Sequence, residues 1–408
     1  MIVKRHLFGT LKAASRMEAL LLWGPRQVGK TTLLDLFPLG SRMFLDDLGL
    51  RERAQADPAL FLDGATLPCL IDEAQYAPNI FPEIKKRIDH SRRENLRAGG
   101  DQASKTSYYL TGSNKMLIDD QVRESLAGRC STFVLHGLSL AEIKEASPEL
   151  PVKTLMFRGA MPELYKRSDL NPYDYYNDYV RSYVEKDVAL TAGVTKLDSF
   201  NDVLRLLAAR TGQFLNVSEI ANTAGVDQKT VQSWIGLLER NGICSLVEPF
   251  HTNLSKRVVK MPKFYFMDTG LCARLQSQAS EDSLWNSSQA GGLFETLVYS
   301  ELVKTRDNFL LDWKIFTWRT KEKNEIDFII QSGDQIICVE AKLAHHNVKS
   351  FDLDREALKV FPKQTKKILA FAGTETIALD RGATVAVPVI EIGTYLRNTM
   401  AQLRQTEK

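Results

Sequence analysis

The stretch Trp23-Gly24-Pro25-Arg26-Gln27-Val28-Gly29-Lys30-Thr31-Thr32 constrains this chain more than any other. It fits the spacing G-x-x-x-x-G-K-[ST], with Gly24 and Gly29 bracketing four residues ahead of Lys30 and Thr31. The apolar run Ala19–Trp23 before it reads as a buried strand. Behind it, Thr31 to Phe37 reads as a helix that Pro38 stops. The two glycines let backbone N–H groups wrap a polyphosphate with no Cβ in the way, and the helix dipole adds partial positive charge there. Lys30 would reach the β/γ-phosphates and the Thr31 hydroxyl would hold Mg²⁺. Pro25, Arg26, Gln27, Val28 and Thr32 complete the expected nucleotide cradle.

Further along, Cys69-Leu70-Ile71-Asp72-Glu73 reads as an apolar strand ending in two acids. Open α/β sheets bind ligands at the carboxyl ends of their strands, where this pair falls. In a P-loop ATPase the first acid of such a pair serves the Mg²⁺ shell and the second polarises the attacking water. Asp72 is therefore assigned to the metal and Glu73 to water activation. Tyr108 to Asn114 reads as another strand, whose polar end offers Ser113 or Asn114 to sense the γ-phosphate. Arg129, with Arg123 as a competitor, is the arginine expected to stabilise transition-state charge, in cis or from a neighbouring subunit; an ordinary surface arginine is the alternative for either.

Gly24–Thr32, Leu70–Gln75 (Leu-Ile-Asp-Glu-Ala-Gln), Leu110–Ser113 (Leu-Thr-Gly-Ser) and Leu126–Arg129 (Leu-Ala-Gly-Arg) together resemble the AAA-type ATPases of prokaryotes that carry an extra C-terminal domain of unknown function. The phrases Arg158–Glu163 and Tyr183–Val188 are similar to that family too. The resemblance implies an α/β P-loop NTPase (AAA-like) core with ATP and Mg²⁺ as cofactors.

The chain divides on this reading into an ATPase core at 1–138, a helical lid at 139–196, a winged helix at 197–276, a linker at 277–292 and a C-terminal domain at 293–408. The lid is rich in tyrosine (Tyr173, Tyr175, Tyr176, Tyr179, Tyr183) at a spacing that reads as a packed helix face. The next module shows Val217–Val226 as helix and turn, then a helix from Gln228 to Arg240 that Asp227 can cap. Two strand-like runs, Ile243–Phe250 and Lys263–Met267, flank a loop holding Lys256, Arg257, Lys260 and Lys263 and no acid. Gln228, Lys229 and Gln232 would face a DNA groove while Lys256, Arg257 and Lys260, with Lys263 beside them, contact phosphates. The alternative is a structural or protein–protein module, since residues 197–276 hold nine basic against seven acidic side chains.

In the C-terminal part, Glu295 opens an amphipathic helix, Asp327 lies in the strand Glu325–Ile330, and Glu340 and Lys342 share one face of the strand Ile336–Lys342. This order of helical Glu, strand Asp and Glu-x-Lys resembles the PD-(D/E)xK nuclease fold, with its restriction-endonuclease-like α/β core. The resemblance implies that Asp327 and Glu340 ligate Mg²⁺, that Lys342 orients the attacking water and that Glu295 is an outer metal contact. A non-cleaving descendant of the same fold is the rival reading.

Composition bounds the remainder. The 408 residues suffice for about two to four domains. A net charge of +3 argues for no nucleic-acid partner by itself. No apolar run approaches the roughly 18–20 residues of a membrane span, and the N-terminus lacks the apolar core of a signal peptide. Five scattered cysteines with no C-x-x-C pair are expected as buried thiols, which with the missing leader predicts a cytoplasmic protein. The expected partners are ATP, DNA, and a protein partner or further copies of the chain. Two functions stay open: ATP-driven DNA processing or defence, and a nucleotide-dependent switch with no nuclease activity.

Overall fold

A computed structural model describes residues 3–14, 17–98, 106–113, 124–190, 193–250, 261–320, 324–353, 355–361 and 365–406. The chain forms two compact units, one of residues 5–136 and 307–309 and the other holding nearly all the rest.

The first unit is built on a five-stranded sheet of β1 (Ala19–Trp23), β2 (Ser41–Phe44), β3 (Cys69–Asp72), β4 (Tyr108–Gly112) and β5 (Cys130–Val134). Its order is β2-β3-β4-β1-β5 with every neighbour parallel. Parallel strands covered on both faces need continuous apolar runs, and β1, β3 and β4 are buried at every position. The helix Ile80–Arg97 sends Ile80, Phe81, Ile84 and Ile88 into this core.

The second unit begins with the helices Leu140–Ala146, Val152–Arg158, Pro162–Lys166 and Pro172–Tyr179, the last running into a π-helix at Val180–Leu190. Tyr176, Tyr179 and Tyr183 are buried and stack edge to face, so these rings pack the interior. Next come Leu197–Ala208, Val217–Ala224 and Gln228–Arg240, with Gly225 turning between the last two at φ 66° and the Asp227 carboxylate capping Thr230 N. They accompany a small antiparallel sheet of β6 (Gln213–Phe214), β8 (Lys263–Phe266) and β7 (Cys244–Val247), in that order.

Residues 277–292, polar and glycine-ended as expected of a linker, include helical turns. Glu281–Trp285 is a helix with Leu284 fully buried, and Gly291 and Gly292 lie inside the helix Ala290–Asn308. Lys153 and Thr154 hold Asp282 and Glu281 at 2.8 and 2.7 Å. The C-terminal sheet is mixed: β9 (Lys314–Arg319), β10 (Glu325–Ser332) and β11 (Gln335–Lys342) run antiparallel. Then β12 (Lys366–Phe371) and β14 (Thr384–Pro388) continue in parallel, and β13 (Ile377–Leu379) closes the edge antiparallel.

One buried acid on the long helix of this unit sets a pH dependence. Glu301 accepts from Leu140 N at 2.7 Å, and burial pushes its carboxyl up to about 7 against the pull of Lys304. The folded state therefore keeps a proton that the unfolded chain releases near the ordinary value of 4.5. That contribution weakens as pH rises from 4.5 toward 7 and is flat above. Urea unfolding across this window should fall more steeply for the wild type than for Glu301→Gln, which keeps the carbonyl acceptor and cannot ionise. Parallel curves would refute the assignment.

Candidate nucleotide site and the C-terminal acid cluster

The loop after β1 has the backbone its glycines permit. Gly29 sits at φ 92°, and a Cβ on Gly24 would collide with the Leu135 carbonyl oxygen. Lys30 is buried beneath it and donates to the carbonyls of Gly24 and Pro25, each at 3.0 Å. Val28 is buried, Gln27 and Thr32 are exposed, and Arg26 donates to the Tyr76 hydroxyl at 3.0 Å.

The strand order brings the rest together. Because β4 lies between β1 and β3, its end projects between the glycine loop and the acids. Asp72 Oδ1 accepts from Thr31 Oγ1 at 2.7 Å and from Thr111 Oγ1 at 2.6 Å. Thr111 Oγ1 also accepts from Glu73 N at 2.9 Å. Glu73 Oε2 accepts from Ser113 Oγ at 2.8 Å and from the Gln75 amide. Glu73 itself sits in the left-handed region at φ 52°, a strained position for a non-glycine residue that turns the chain straight after the strand.

Electrostatics separate the two acids. Burial raises the Asp72 carboxyl despite hydrogen bonds from Thr111 and Thr31. Burial works the same way on Glu73, but the Lys30 charge and hydrogen bonds from Gln75 and Ser113 outweigh it and hold Glu73 below the usual carboxylate range. Burial lowers Lys30, against the attraction of Glu73 and Asp72. The donor set fits Mg²⁺ with a polyphosphate: Thr31 and Asp72 offer hard oxygens side by side, as suits an ion bound by one or two protein groups plus phosphates. The Gln75 Oε1 atom, buried in the same pocket of residues, has no hydrogen-bond partner among the described residues.

Three residues to which the motifs assign no role shape this site: Thr111, Gln75 and Arg5. Arg5 is buried and donates to Val28 O and His136 O, both at 2.7 Å, tying the glycine loop to the chain after β5. Its position far ahead of the motif gives no periodic signal.

Arg129 does not reach this chain's own glycine loop. It precedes β5, and its carbonyl accepts from Ala19 N at the amino end of β1, about 16 Å of strand from the glycine loop. Its guanidinium grips Asp89 at 2.6 and 3.0 Å. Asn114, Arg123, Lys256, Arg257 and Lys260 lie outside the described residues.

In the second unit, Gln228, Lys229 and Gln232 are exposed on one helix. Lys263 is not a surface contact for phosphate. It is buried, with Nζ 2.6 Å from Glu295 Oε1 and 3.4 Å from Asp327 Oδ1, and it also pairs with Glu325. Its paired register with Val247 and Phe214 turns this side chain inward from the middle of the small sheet.

Asp327, Glu295, Glu340 and Lys342 do come into electrostatic reach of one another. The β9–β10 register breaks between Ile326 and Ile329, and Asp327 Oδ2 accepts from Ala341 N at 2.9 Å. Lys342 pairs with Glu340 at 3.1 Å. Burial and the Asp327 charge push Glu295 up to about 8 and Glu340 up to about 7. Burial opposes the Lys263 charge, yet Glu295, Asp327 and Glu325 raise it well above an ordinary lysine. Among the described residues no group of three or more His, Cys, Asp or Glu is arranged to hold a metal ion. Of the expected Mg²⁺ set, Asp327 and Glu295 meet the Lys263 ammonium, and Glu340 pairs with Lys342.

A parallel α/β sheet of this order with a glycine loop, Lys30, Thr31 and paired acids at its carboxyl edge has the P-loop NTPase fold. Residues 16–144 match the family model described as an AAA domain, which supports an ATPase of the AAA type. Residues 151–282 and 290–392 match two models each described as a domain of unknown function, DUF8612 and DUF4143. An uncharacterized protein of Mycobacterium tuberculosis is 26% identical over 323 residues, 78% of this chain and 69% of that protein. One from Haemophilus influenzae is 22% identical over 248 residues, 58% of each chain. Among solved structures, the Aeropyrum pernix ORC2 protein (ADPNP-ADP complexes) gives a TM-score of 0.30 at 12% identity, covering 66% of this chain and 89% of that one. The Aeropyrum pernix ORC1 protein in complex with DNA gives 0.25 at 11%, covering 68% and 94%. Scores this low carry no argument about this chain. No helix among the described residues is long and apolar enough to cross a membrane.

Proposed function

We propose that this protein is a Mg²⁺-dependent ATPase working as a nucleotide-dependent switch on DNA. The observation that carries the ATPase reading is the convergence of Lys30, Thr31, Asp72, Glu73 and Ser113 on the edge of one parallel sheet. Mg²⁺ bound with ATP supplies charge neutralisation on the phosphates, and Thr31 and Asp72 are the residues that would hold it. Lys30 compensates phosphate charge. Glu73, kept ionised by its neighbours, takes the proton of the attacking water, and Ser113 sets where its carboxylate points. Lys30→Ala should abolish phosphate release and shift the oligomeric state or partner affinity measured with and without ATP. Hydrolysis at the wild-type rate would end the assignment.

The DNA side of the proposal rests on the exposed helix carrying Gln228, Lys229 and Gln232. If it lies on DNA, affinity measured by fluorescence anisotropy should fall as salt rises, with a slope that Lys229→Ala reduces by about one. Salt-independent binding, or none, would leave a protein partner in its place. DNA cleavage by Asp327, Glu340 and Lys342 is the second reading, favoured by their proximity and opposed by Lys263. Mg²⁺-dependent nicking of plasmid that Asp327→Ala removes would restore it.

A further inference from the structure

Carboxylates suit a hard divalent ion when their oxygens converge on a point no other cation fills. Here they converge on an ammonium. Lys263 has three N–H donors and meets three carboxylates, of Glu295, Glu325 and Asp327. Further donors supplement the lysine: the Tyr265 hydroxyl shares Glu295 Oε1 with it, Ala341 N donates to the other Asp327 oxygen, Lys342 pairs with Glu340, and Arg319 stands 3.9 Å from Glu325. Against these four acids stand three basic side chains. The cluster is close to charge balance without any ion from solution.

We infer that Glu295, Glu325 and Asp327 form a socket for the Lys263 ammonium rather than a divalent-metal centre, and that the socket fastens β7 and β8 to the C-terminal sheet. Neighbouring contacts run along the same seam. Tyr265, two residues on and so on the same face of β8, stacks on Tyr299 with centroids 4.5 Å apart. The Ser245 and Tyr299 hydroxyls are 2.7 Å apart. Beyond β7, Phe250 N donates to Thr317 O at 2.6 Å and Thr317 N to Glu248 O at 3.0 Å, joining the backbone to β9. The module bearing the exposed helix is thereby one body with the C-terminal domain, and Lys263 is its buried fastener. None of this depends on how the glycine loop handles nucleotide.

Mn²⁺ titrated into nucleotide-free protein and followed by electron paramagnetic resonance should give the same stoichiometry for the wild type and Asp327→Asn. A wild-type site that Asp327→Asn removes would overturn the inference. Hydrogen exchange reads the fastening: Lys263→Met should speed exchange of the β7 and β8 amides by about 10²–10³-fold, and Lys263→Arg should do so less. Unchanged exchange in Lys263→Met would overturn it equally. If that variant does not fold, Glu325→Gln on the more exposed side should raise exchange in the same two strands, and an unaltered profile there counts against the socket.

Discussion

Replacing Glu73 by glutamine should slow ATP hydrolysis by about 10²–10⁴-fold while nucleotide binding is kept. Glutamine has nearly the same shape, so its carbonyl can still accept from Ser113 and the Gln75 amide, and the contacts that order the strand end survive. What it loses is the negative charge and the ability to take a proton. That charge is no accident of exposure: Glu73 is buried, and the ammonium of Lys30 and two hydrogen bonds keep it ionised there. Asp72 is different in kind. It touches Thr31 and Thr111, and its substitution should weaken Mg²⁺-nucleotide binding itself. Single-turnover hydrolysis, set beside the affinity of a fluorescent ATP analogue, separates the two variants. Wild-type hydrolysis in Glu73→Gln would assign water activation elsewhere.

The residues gathered at the sheet edge were legible in the sequence because each piece is short and contiguous. Asp72-Glu73 and Ser113 each follow an apolar run and Lys30-Thr31 opens the helix after the glycine loop, and a parallel sheet gathers strand ends on one edge whatever the order of its strands. The order itself was not legible. Only the placement of β4 between β1 and β3 explains why the Thr111 hydroxyl serves both Asp72 and the Glu73 backbone. Arg129 shows the opposite failure. It closes a phrase of suitable chemistry, yet it enters a strand instead of leaving one and so lies at the edge away from this chain's own glycine loop. Lys263 was read with a basic loop because its neighbours in sequence are basic. Its environment is set by acids 32 and 64 residues away, and such partners leave no local pattern. The helix Glu281–Trp285 was hidden by polar composition around a single buried apolar anchor, Leu284.

Lys263→Met should cost about 3–5 kcal/mol of stability, the range for removing one partner of a buried ion pair. Methionine fills much of the volume, so lost packing is a minor part of the effect. The larger part is what remains: Glu295, Glu325 and Asp327 face one another with their shared cation gone. Glu295 already holds its proton up to about pH 8 with the lysine in place, because burial and Asp327 both disfavour its charge. Without the lysine the folded state must bind still more protons than the unfolded chain. The destabilisation should therefore shrink as pH falls and grow as pH rises. A second change, Glu295→Gln, should recover part of the loss by putting a neutral group in place of a carboxyl that the folded state must keep protonated, which makes the two substitutions non-additive. Urea unfolding of the two single variants and the double variant at acidic and neutral pH measures both effects. A loss that is additive and independent of pH would mean that Lys263 stabilises this unit through its aliphatic stem alone.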